Sequence, residues 1–247
     1  MADGRDKLEW GGSELLVTLR DPAGMAGEQF RKMRIRLEGL KETLGGAMQV
    51  VVVTSPMMGE GKTATAANLA AALAQEEGRR VLLLDCDIRK PRVWSLFRKP
   101  PEKGLADVLA DGVPVSHVLR STDAVPLDVL ALPRGSDSRI DPIPVEKLKG
   151  LLRDLRGRYD FIICDAPPVL PIADTAALVR MADGVLMVVR AAVTPRHAVA
   201  RSLEMIDRNK LIGFVLNAVA DRAIDRYYHQ YHADPPQENG EPKRNER

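Results

Sequence analysis

The chain has 247 residues, of which 45% are hydrophobic, so it is long enough for one large α/β domain with a substantial core. Its 36 Lys and Arg residues nearly balance 34 Asp and Glu residues, and the formal net charge of +2 produces no global field that would attract nucleic acid. No apolar run approaches the length of a membrane span, and the N-terminus lacks the regions of a secretion signal. We therefore expect a cytosolic protein that does not bind nucleic acid.

Residues 1–22 are expected to form an N-terminal arm, because glycines and charges surround one short apolar run. That run, Leu15 to Leu19, predicts a short strand or extended piece that packs on the main body. From residue 24 to residue 44, apolar side chains recur at spacings of three and four residues, which is the pattern of one helical face. They are Phe30, Met33, Leu37, Leu40 and Leu44.

The opposite face of this predicted helix is charged. It carries Glu28, Arg31 and Arg34 at intervals of three residues, where successive turns bring the side chains together. A face of solvated ion pairs explains the pattern as well as a contact surface does, so both explanations stay open at this point.

The stretch from Val50 to Asn68 predicts a strand, a glycine-containing loop and a helix in direct succession. Its four valines are typical of a strand buried on both faces, and an alanine-rich helical pattern begins after Lys62. Gly59 and Gly61 allow backbone N–H groups to turn toward an anion at the positive end of the helix. In such a loop Lys62 reaches the β- and γ-phosphates, and Thr63 offers its hydroxyl to Mg²⁺.

This loop differs at one position from the usual phosphate-binding loop, or P-loop. The pattern G-x-x-x-x-G-K-S/T requires a glycine five residues before Gly61, and Pro56 occupies that position. Gly-Lys-Thr at a junction from strand to helix still predicts nucleotide binding. We assign the nucleotide contacts of this loop to Met58, Gly59, Glu60, Gly61, Lys62, Thr63 and Ala64.

Two later apolar runs end in aspartates. VLLLDCDIRKPR places Asp85 and Asp87 on one side of a strand end, at the edge where open α/β sheets bind their ligands. FIICDAPP ends in Asp165, the position from which P-loop proteins hold the magnesium shell. Neighbouring acids are unfavourable without a cation, although acids that face solvent and merely end a strand would give the same pattern for the first pair.

Three other reactive side chains have ordinary explanations. Cys86 and Cys164 each lie in an apolar strand pattern with no further Cys or His at ligand spacing, which predicts small reduced core residues and no zinc site. His117 follows a proline in a region of two short predicted helices and is expected at the surface.

The remaining pattern alternates strands and helices. Strands are predicted at 127–132, 184–190 and 211–217, and helices at 145–156 and at about 197–209. This alternation predicts an α/β fold with a doubly wound, mostly parallel sheet and right-handed crossovers. Asn217 ends the last strand at the ligand edge, where its amide would contact adenine or would only form a turn.

The domain is expected to span residues 23–226, followed by a tyrosine cluster and tail at 227–247. Tyr227, Tyr228 and Tyr231 lie close together although the whole chain has four tyrosines. The residues after them cannot build a core, which predicts disorder. A docked aromatic anchor is one explanation of the cluster, and we favour the other, an accessible group of tyrosines open to modification.

These motifs together resemble the bacterial tyrosine kinases (BY-kinases) of capsule and exopolysaccharide assembly. The resemblance extends from about Leu15 to Tyr231 and implies a P-loop fold related to the partition and division-site ATPases. Those ATPases carry a second lysine five residues before the P-loop lysine, and this chain has Met57 there. The motifs are SPMMGEGKT, VLLLDCDIRKPR, FIICDAPPVLPIADT, Glu28-x-x-Arg31-x-x-Arg34 and the terminal tyrosine cluster.

The resemblance also implies roles for the polar residues. Lys62 is expected to bind the phosphates of ATP, and Thr63, Asp87 and Asp165 are expected to hold Mg²⁺. Asp85 is expected to accept the proton of the tyrosine, although the roles of Asp85 and Asp87 could be exchanged. The sequence departs from the family at Ala64, where a second hydroxyl residue is usual.

The same resemblance implies that Tyr227, Tyr228 and Tyr231 are phosphorylated, largely between neighbouring subunits of a ring. Glu28, Arg31 and Arg34 are expected to help close that ring. Because an extended chain covers at most about 3.5 Å per residue, we expect these tyrosines to reach a neighbour's site more easily than their own.

The partners implied are a separate transmembrane regulator of polysaccharide chain length and a protein-tyrosine phosphatase. That regulator would keep the cytoplasmic chain at the inner face of the plasma membrane. Two other functions remain open: a partition-type ATPase that switches dimers on DNA or membrane, and a regulatory subunit that uses ATP only to assemble.

Overall fold

The computed structural model of the chain describes residues 7–11, 13–99, 101–133, 142–172 and 174–219. The predicted tyrosine cluster and tail lie outside the described residues. Within them, a seven-stranded sheet forms the centre of the structure. Its strands are β1 (Val50–Thr54), β2 (Val81–Asp85), β3 (Arg120–Ser121), β4 (Leu127–Leu130), β5 (Phe161–Asp165), β6 (Gly184–Arg190) and β7 (Leu211–Asn217).

The strand order across the sheet is β3-β4-β2-β5-β1-β6-β7, and every neighbouring pair is parallel except β3 with β4. The strands β1, β2 and β5 are buried along their whole length, as apolar runs require when both faces of a sheet are covered. The prediction of a doubly wound, mostly parallel sheet is confirmed.

Helices cover both faces of the sheet. In the described part of the chain they are α1 (Val17–Arg20), α2 (Met25–Thr43), α3 (Lys62–Ala74), α4 (Leu105–Asp111), α5 (Val115–Val118), α6 (Val145–Arg156), α7 (Asp174–Met181) and α8 (Arg196–Glu204). Leu37 of α2 and Leu69 of α3 belong to the hydrophobic cluster on one face. Leu105 of α4, Leu148 of α6 and Leu178 of α7 belong to the cluster on the other face.

The N-terminal arm differs in part from the expectation of an extended segment. Leu8 and Trp10 do form isolated β-bridges, with Thr122 and Phe97. The apolar run at 15–19, however, becomes helical from Val17 onward as α1. The reason is a long-range contact, because the backbone N–H of Thr18 donates to the side-chain oxygen of Asn68 at 2.9 Å.

The apolar face of α2 is confirmed only in its first half. Leu37 is buried and Phe30 and Met33 pack against the core, whereas Leu40 and Leu44 are exposed. The two cysteines are buried free thiols, and His117 is exposed, both as predicted. No helix in the described ranges combines the length and hydrophobicity needed to cross a membrane.

Candidate active site

The parallel order brings the carboxyl ends of six strands to one edge of the sheet. The P-loop follows β1 at this edge and ends where α3 begins, at Lys62. Gly59 and Gly61 have φ angles of 78° and 93°, a left-handed conformation that is unfavourable for residues with a side chain. A Cβ on Gly61 would also lie 2.0 Å from Nδ2 of Asn217. The backbone can therefore turn toward a phosphate only because both positions are glycine.

Asn217 ties the last strand to this loop. Its side-chain amide donates to the backbone carbonyl of Glu60 at 2.9 Å. The sequence allows Asn217 to contact adenine or to form a turn, and in the structure it also links β7 to the P-loop. Contact with adenine stays a prediction.

Asp165, at the end of β5, lies beside the first turn of α3. Thr63 Oγ1 donates a hydrogen bond to Asp165 Oδ2 at 2.5 Å. The other carboxylate oxygen, Oδ1, is buried and has no hydrogen-bond partner among the described residues. Such an oxygen is unfavourable by itself, and a hydrated Mg²⁺ would supply both positive charge and water donors. Thr63 and Asp165 thus fit the predicted magnesium site.

Asp85 faces the same edge from the neighbouring strand, where it is the register partner of Asp165. It is fully buried, and its two carboxylate oxygens accept backbone N–H groups of Asp87 and Val93, each at 3.2 Å. These bonds fold the segment after β2 back over the strand end. In this structure Asp85 therefore fixes the segment that follows it, residues 87–93. An incoming hydroxyl would reach Asp85 only if that segment moved.

Asp87 is the more accessible member of the pair. It is partly exposed, and its carboxylate accepts the backbone N–H of Lys90 at 3.1 Å. Burial raises the pKa of Asp87, while the positive charges of Lys62 and Lys90 act in the opposite direction. The sequence could not show which of Asp85 and Asp87 is more accessible, because their accessibility depends on how residues 87–93 fold.

Burial raises the pKa of Asp165 to about 7, against the opposing effects of the Thr63 hydrogen bond and the Lys62 charge. The pKa of Asp85 is also raised well above its ordinary value, first by burial and then by the negative charge of Asp165. Two buried carboxyls that share one edge repel each other when both are ionised. A cation at this edge would relieve that repulsion.

Two residues at this edge of the sheet were not predicted from the sequence. Thr194 follows β6 and donates its hydroxyl to Oε1 of Glu60 in the P-loop, and Arg190 donates a side-chain N–H to the carbonyl of Gly59 at 3.2 Å. Both lie more than a hundred residues after the loop. The only signal in the sequence was their position at the end of a predicted parallel strand.

The charged face of α2 separates into two environments. Arg31 is 66% exposed and lies 3.6 Å from Glu28, so this pair faces solvent. Arg34 is 17% exposed and pairs with Glu38 at 3.6 Å and with Glu76, which follows α3. Arg34 thus binds its own subunit. Ile35, four residues after Arg31, is a half-exposed apolar side chain.

Comparison with known proteins gives the family. The chain is 33% identical over 209 residues to the tyrosine-protein kinase YwqD of Bacillus subtilis, and this match covers 82% of the chain and 85% of that relative. The chain belongs to the bacterial tyrosine-protein kinases. A family model described as an AAA domain also matches residues 48–212 of this BY-kinase.

A longer relative is the succinoglycan biosynthesis transport protein ExoP of Rhizobium meliloti, with 28% identity over 216 residues. The match covers 86% of the chain but 27% of ExoP, so the kinase described here corresponds to about a quarter of that protein. Among solved structures, the chimerical protein CapA2B2 aligns with a TM-score of 0.74 and 29% identity, covering 88% of this chain and 96% of the other.

The relation to division-site ATPases is also visible at the level of the fold. The MinC:MinD cell division complex of Aquifex aeolicus aligns with a TM-score of 0.56 and 28% identity, over 67% of each chain. The predicted fold class, a P-loop α/β protein related to these ATPases, is confirmed.

Proposed function

We propose that this kinase transfers the γ-phosphoryl group of ATP to tyrosine hydroxyls of its own C-terminal cluster, Tyr227, Tyr228 and Tyr231. The observation that carries the proposal is the convergence of Asp85, Asp87 and Asp165 on one phosphate cradle. A cradle alone would bind nucleotide. The additional carboxylates supply a place for a cation and an acceptor for a proton, which transfer to a hydroxyl requires.

The chemical step follows from these positions. The acceptor tyrosine oxygen forms a bond to the γ-phosphorus, the bond from that phosphorus to the β–γ bridging oxygen breaks, and ADP leaves with that oxygen. The tyrosine proton passes to a carboxylate. Lys62 and the loop N–H groups stabilise the charge that develops on the phosphoryl oxygens, which is the main contribution a protein makes to such a step.

Mg²⁺ would be held by Thr63 and Asp165. When bound, it supplies positive charge to the phosphates. The protein's own contribution is to hold the Thr63 hydroxyl and the Asp165 carboxylate side by side before the cation arrives.

The proton acceptor is one of the two acids that follow β2. An unperturbed tyrosine has a pKa of about 10, so a carboxylate helps only within hydrogen-bond reach of the hydroxyl. Asp87 is partly exposed, whereas Asp85 is buried and both its carboxylate oxygens already accept backbone N–H groups, which supports Asp87 as the acid nearer to an incoming hydroxyl. We therefore assign the role of proton acceptor to Asp87. Asp85 holds residues 87–93 in place through its two hydrogen bonds. These roles are exchanged relative to those that the family resemblance implies.

Transfer between subunits is proposed for a reason other than reach. Asn217 contacts the P-loop and precedes Tyr227 by ten residues, so an extended segment of about 33 Å could return the cluster to its own site. Distance therefore does not decide between the two paths, and the expectation that a neighbour's site is the easier target stays a prediction. What supports contact between subunits is the solvent-facing pair Glu28–Arg31 with the exposed Ile35 beside it. Arg34 supports it less, because it already binds Glu76.

We propose a role in regulating the polymerisation and export of exopolysaccharide or capsule, at the inner face of the plasma membrane. The name of ExoP places that relative in succinoglycan biosynthesis, and the CapA2B2 chimera joins two named proteins in one chain. A separate transmembrane chain-length regulator and a protein-tyrosine phosphatase would complete the system. Pull-down of the native kinase from membranes would identify that regulator.

Incubation of the purified kinase with ATP and Mg²⁺, followed by mass spectrometry and phosphate assay, tests the activity. Phosphate on Tyr227, Tyr228 or Tyr231 is expected, and Lys62→Met should lose it while keeping the fold, because the Lys62 charge acts on Asp87 and Asp165 at the ligand edge and pairs with no side chain of the described core. Release of inorganic phosphate without phosphotyrosine would identify a partition-type ATPase instead. Binding of ATP without either product would identify a regulatory subunit.

A further inference from the structure

The P-loop is held from outside by side chains at the ends of β6 and β7. Four residues form this contact and are termed the P-loop clamp: Glu60, Arg190, Thr194 and Asn217. Glu60 belongs to the loop, and the other three lie 130 or more residues later in the chain. The clamp therefore depends on the parallel order that brings β6 and β7 to the edge of β1.

Glu60 is the centre of the clamp. Its side chain lies inside the loop with the residue only 3% exposed. One carboxylate oxygen, Oε2, accepts the backbone N–H of Met57 at 3.1 Å, and the other, Oε1, accepts the hydroxyl of Thr194. The first bond closes the loop on itself, and the second joins it to the turn after β6.

Thr194 uses one hydroxyl for two bonds. It donates to Glu60 and accepts the backbone N–H of Arg190 at 2.9 Å. The turn between them contains Ala192 with a φ of 57°, a conformation that residues other than glycine seldom adopt. The turn is thus held in an uncommon shape that presents Thr194 to the loop.

The backbone of the loop is held as well. The Arg190 side chain donates to the carbonyl of Gly59, and the Asn217 amide donates to the carbonyl of Glu60. These two carbonyls must turn away from the cradle, because the N–H groups of the same loop turn toward the phosphate. External donors on the outward carbonyls therefore fix the loop in the orientation that binds an anion.

A buried carboxylate beside a phosphate site is unfavourable unless it is hydrogen-bonded, since both the ligand and the side chain are negative. The hydroxyl of Thr194 and the backbone N–H of Met57 together meet that requirement for Glu60. We infer that Glu60, Thr194 and Arg190 are positioning residues that hold the P-loop in its phosphate-binding shape before nucleotide arrives. The inference rests on the nucleotide-binding part of the proposed function and does not depend on the identity of the phosphate acceptor.

The clamp acts on the loop, so its loss should weaken the binding of ADP and the binding of ATP to the same extent. A preformed loop binds substrate and transition state equally well, and removing that contribution raises KM with little change in kcat. Loss of a hydrogen bond to a buried carboxylate should raise the dissociation constant about tenfold or more. Thr63 and Asp165, which form the predicted cation site, are not clamp residues. The dissociation constant of ADP should therefore rise by the same factor with and without Mg²⁺.

The experiment compares Thr194→Val, which keeps the shape but removes the hydroxyl, with the matched control Thr194→Ser, which keeps the hydroxyl. ADP affinity is measured by calorimetry with Mg²⁺ and with EDTA, after thermal unfolding has verified the fold. The valine variant should bind ADP about tenfold more weakly in both conditions, and the serine variant should bind within about twofold of the parent. Equal affinities of the valine variant and the parent would overturn the inference.

Arg190→Met provides a second test that leaves the buried hydroxyl in place. Arg190 is exposed, so its replacement should not unfold the chain. We expect ADP to bind about threefold to tenfold more weakly, with a rise in KM for ATP and an unchanged kcat. A fall in kcat with unchanged KM would show that Arg190 acts in the chemical step, and the positioning role would be wrong. Failure of autophosphorylation in the parent would contradict the proposed function but would not alter these ADP measurements.

Discussion

Asp85 and Asp165 are register partners at the carboxyl ends of β2 and β5, so two buried carboxyls share one edge of the phosphate cradle. Burial raises the pKa of both carboxyls above the ordinary range, and the negative charge of Asp165 raises the pKa of Asp85 further. A folded protein would not favour this arrangement for stability, because each ionised carboxylate repels the other in a poorly solvated place. It serves a site that receives a cation and a nucleotide.

The first prediction concerns stability and pH in the absence of Mg²⁺. A carboxyl whose pKa is raised by folding binds more protons in the folded than in the unfolded state, so stability falls as pH rises from about 4 through about 7. Asp85→Asn removes one ionisable member of the pair. Its unfolding temperature, taken relative to that of the parent at the same pH, should be several degrees higher at pH 8 than at pH 5.

The control for this prediction is Asp123→Asn, which changes an exposed acid. The unfolding temperature of this variant should match that of the parent at both pH values. If the difference in unfolding temperature between Asp85→Asn and the parent is the same at pH 8 and at pH 5, the two carboxyls do not repel each other as inferred.

The second prediction concerns ligand binding and pH. Mg²⁺ binds the deprotonated carboxylate, and Asp165 is largely protonated below its pKa of about 7. The stabilisation by ADP in the presence of Mg²⁺, relative to ADP with EDTA, should therefore be larger at pH 8 than at pH 5.5. Thermal unfolding at fixed ADP measures it. In Asp165→Asn this stabilisation should be nearly the same at the two pH values. If it still differs as much as in the parent, Asp165 does not bind the metal.

The third prediction separates the two acids after β2. Asp87→Asn should lower kcat for tyrosine phosphorylation by about a hundredfold or more, the usual contribution of a general base, and leave ADP affinity within a few-fold. Asp85→Asn should lower kcat and also loosen residues 87–93, because an amide replaces one acceptor oxygen of the carboxylate that holds them. Hydrogen exchange of the Asp87 and Val93 amides measures that loosening. Faster exchange in Asp87→Asn alone would reverse the assignment.

The fourth prediction concerns α2. Arg31→Ala should leave the unfolding temperature unchanged, since Arg31 is 66% exposed, and should reduce the assembled fraction in light scattering. Arg34→Ala should cost about 1 kcal/mol or more of folding free energy, because it removes the ion pair that joins α2 to Glu76 together with the ion pair to Glu38 within α2. The exposed Arg36 provides the control, Arg36→Ala, which should change neither quantity. Loss of assembly in Arg34→Ala but not in Arg31→Ala would contradict this division.

The sequence predicted the parts of the site that lie within one strand-loop-helix unit or at the end of a strand. Lys62, Thr63 and Asp165 follow from local patterns, because a parallel sheet necessarily brings its carboxyl ends together. Thr194 and Arg190 could not be predicted, since their contacts with Glu60 and Gly59 depend on the shape of a turn 130 residues away. Helix spacing likewise could not show that Arg34 turns toward α3, because that depends on how two helices pack.

The last prediction asks which subunit supplies the tyrosines. Tyr227 follows Asn217 by ten residues, which permits either path, so the sequence distance decides nothing and a mixing experiment is needed. One chain carries Lys62→Met and keeps its tyrosines, which makes it inactive but able to accept phosphate. The other keeps Lys62 and carries Tyr227→Phe, Tyr228→Phe and Tyr231→Phe, which makes it active but unable to accept phosphate on the cluster. Mass spectrometry of the mixture after incubation with ATP and Mg²⁺ should find phosphate on the cluster of the Lys62→Met chain.

The same mixture prepared with Arg31→Ala in both chains tests whether the α2 face brings the subunits together. Phosphate on the inactive chain should fall severalfold at low protein concentration and recover as concentration rises, because a weakened contact is restored by mass action. The Lys62→Met chain alone must remain unmodified. If the mixture shows no phosphate on the inactive chain while the parent modifies itself, transfer occurs within one subunit, and the solvent-facing pair Glu28–Arg31 serves another contact.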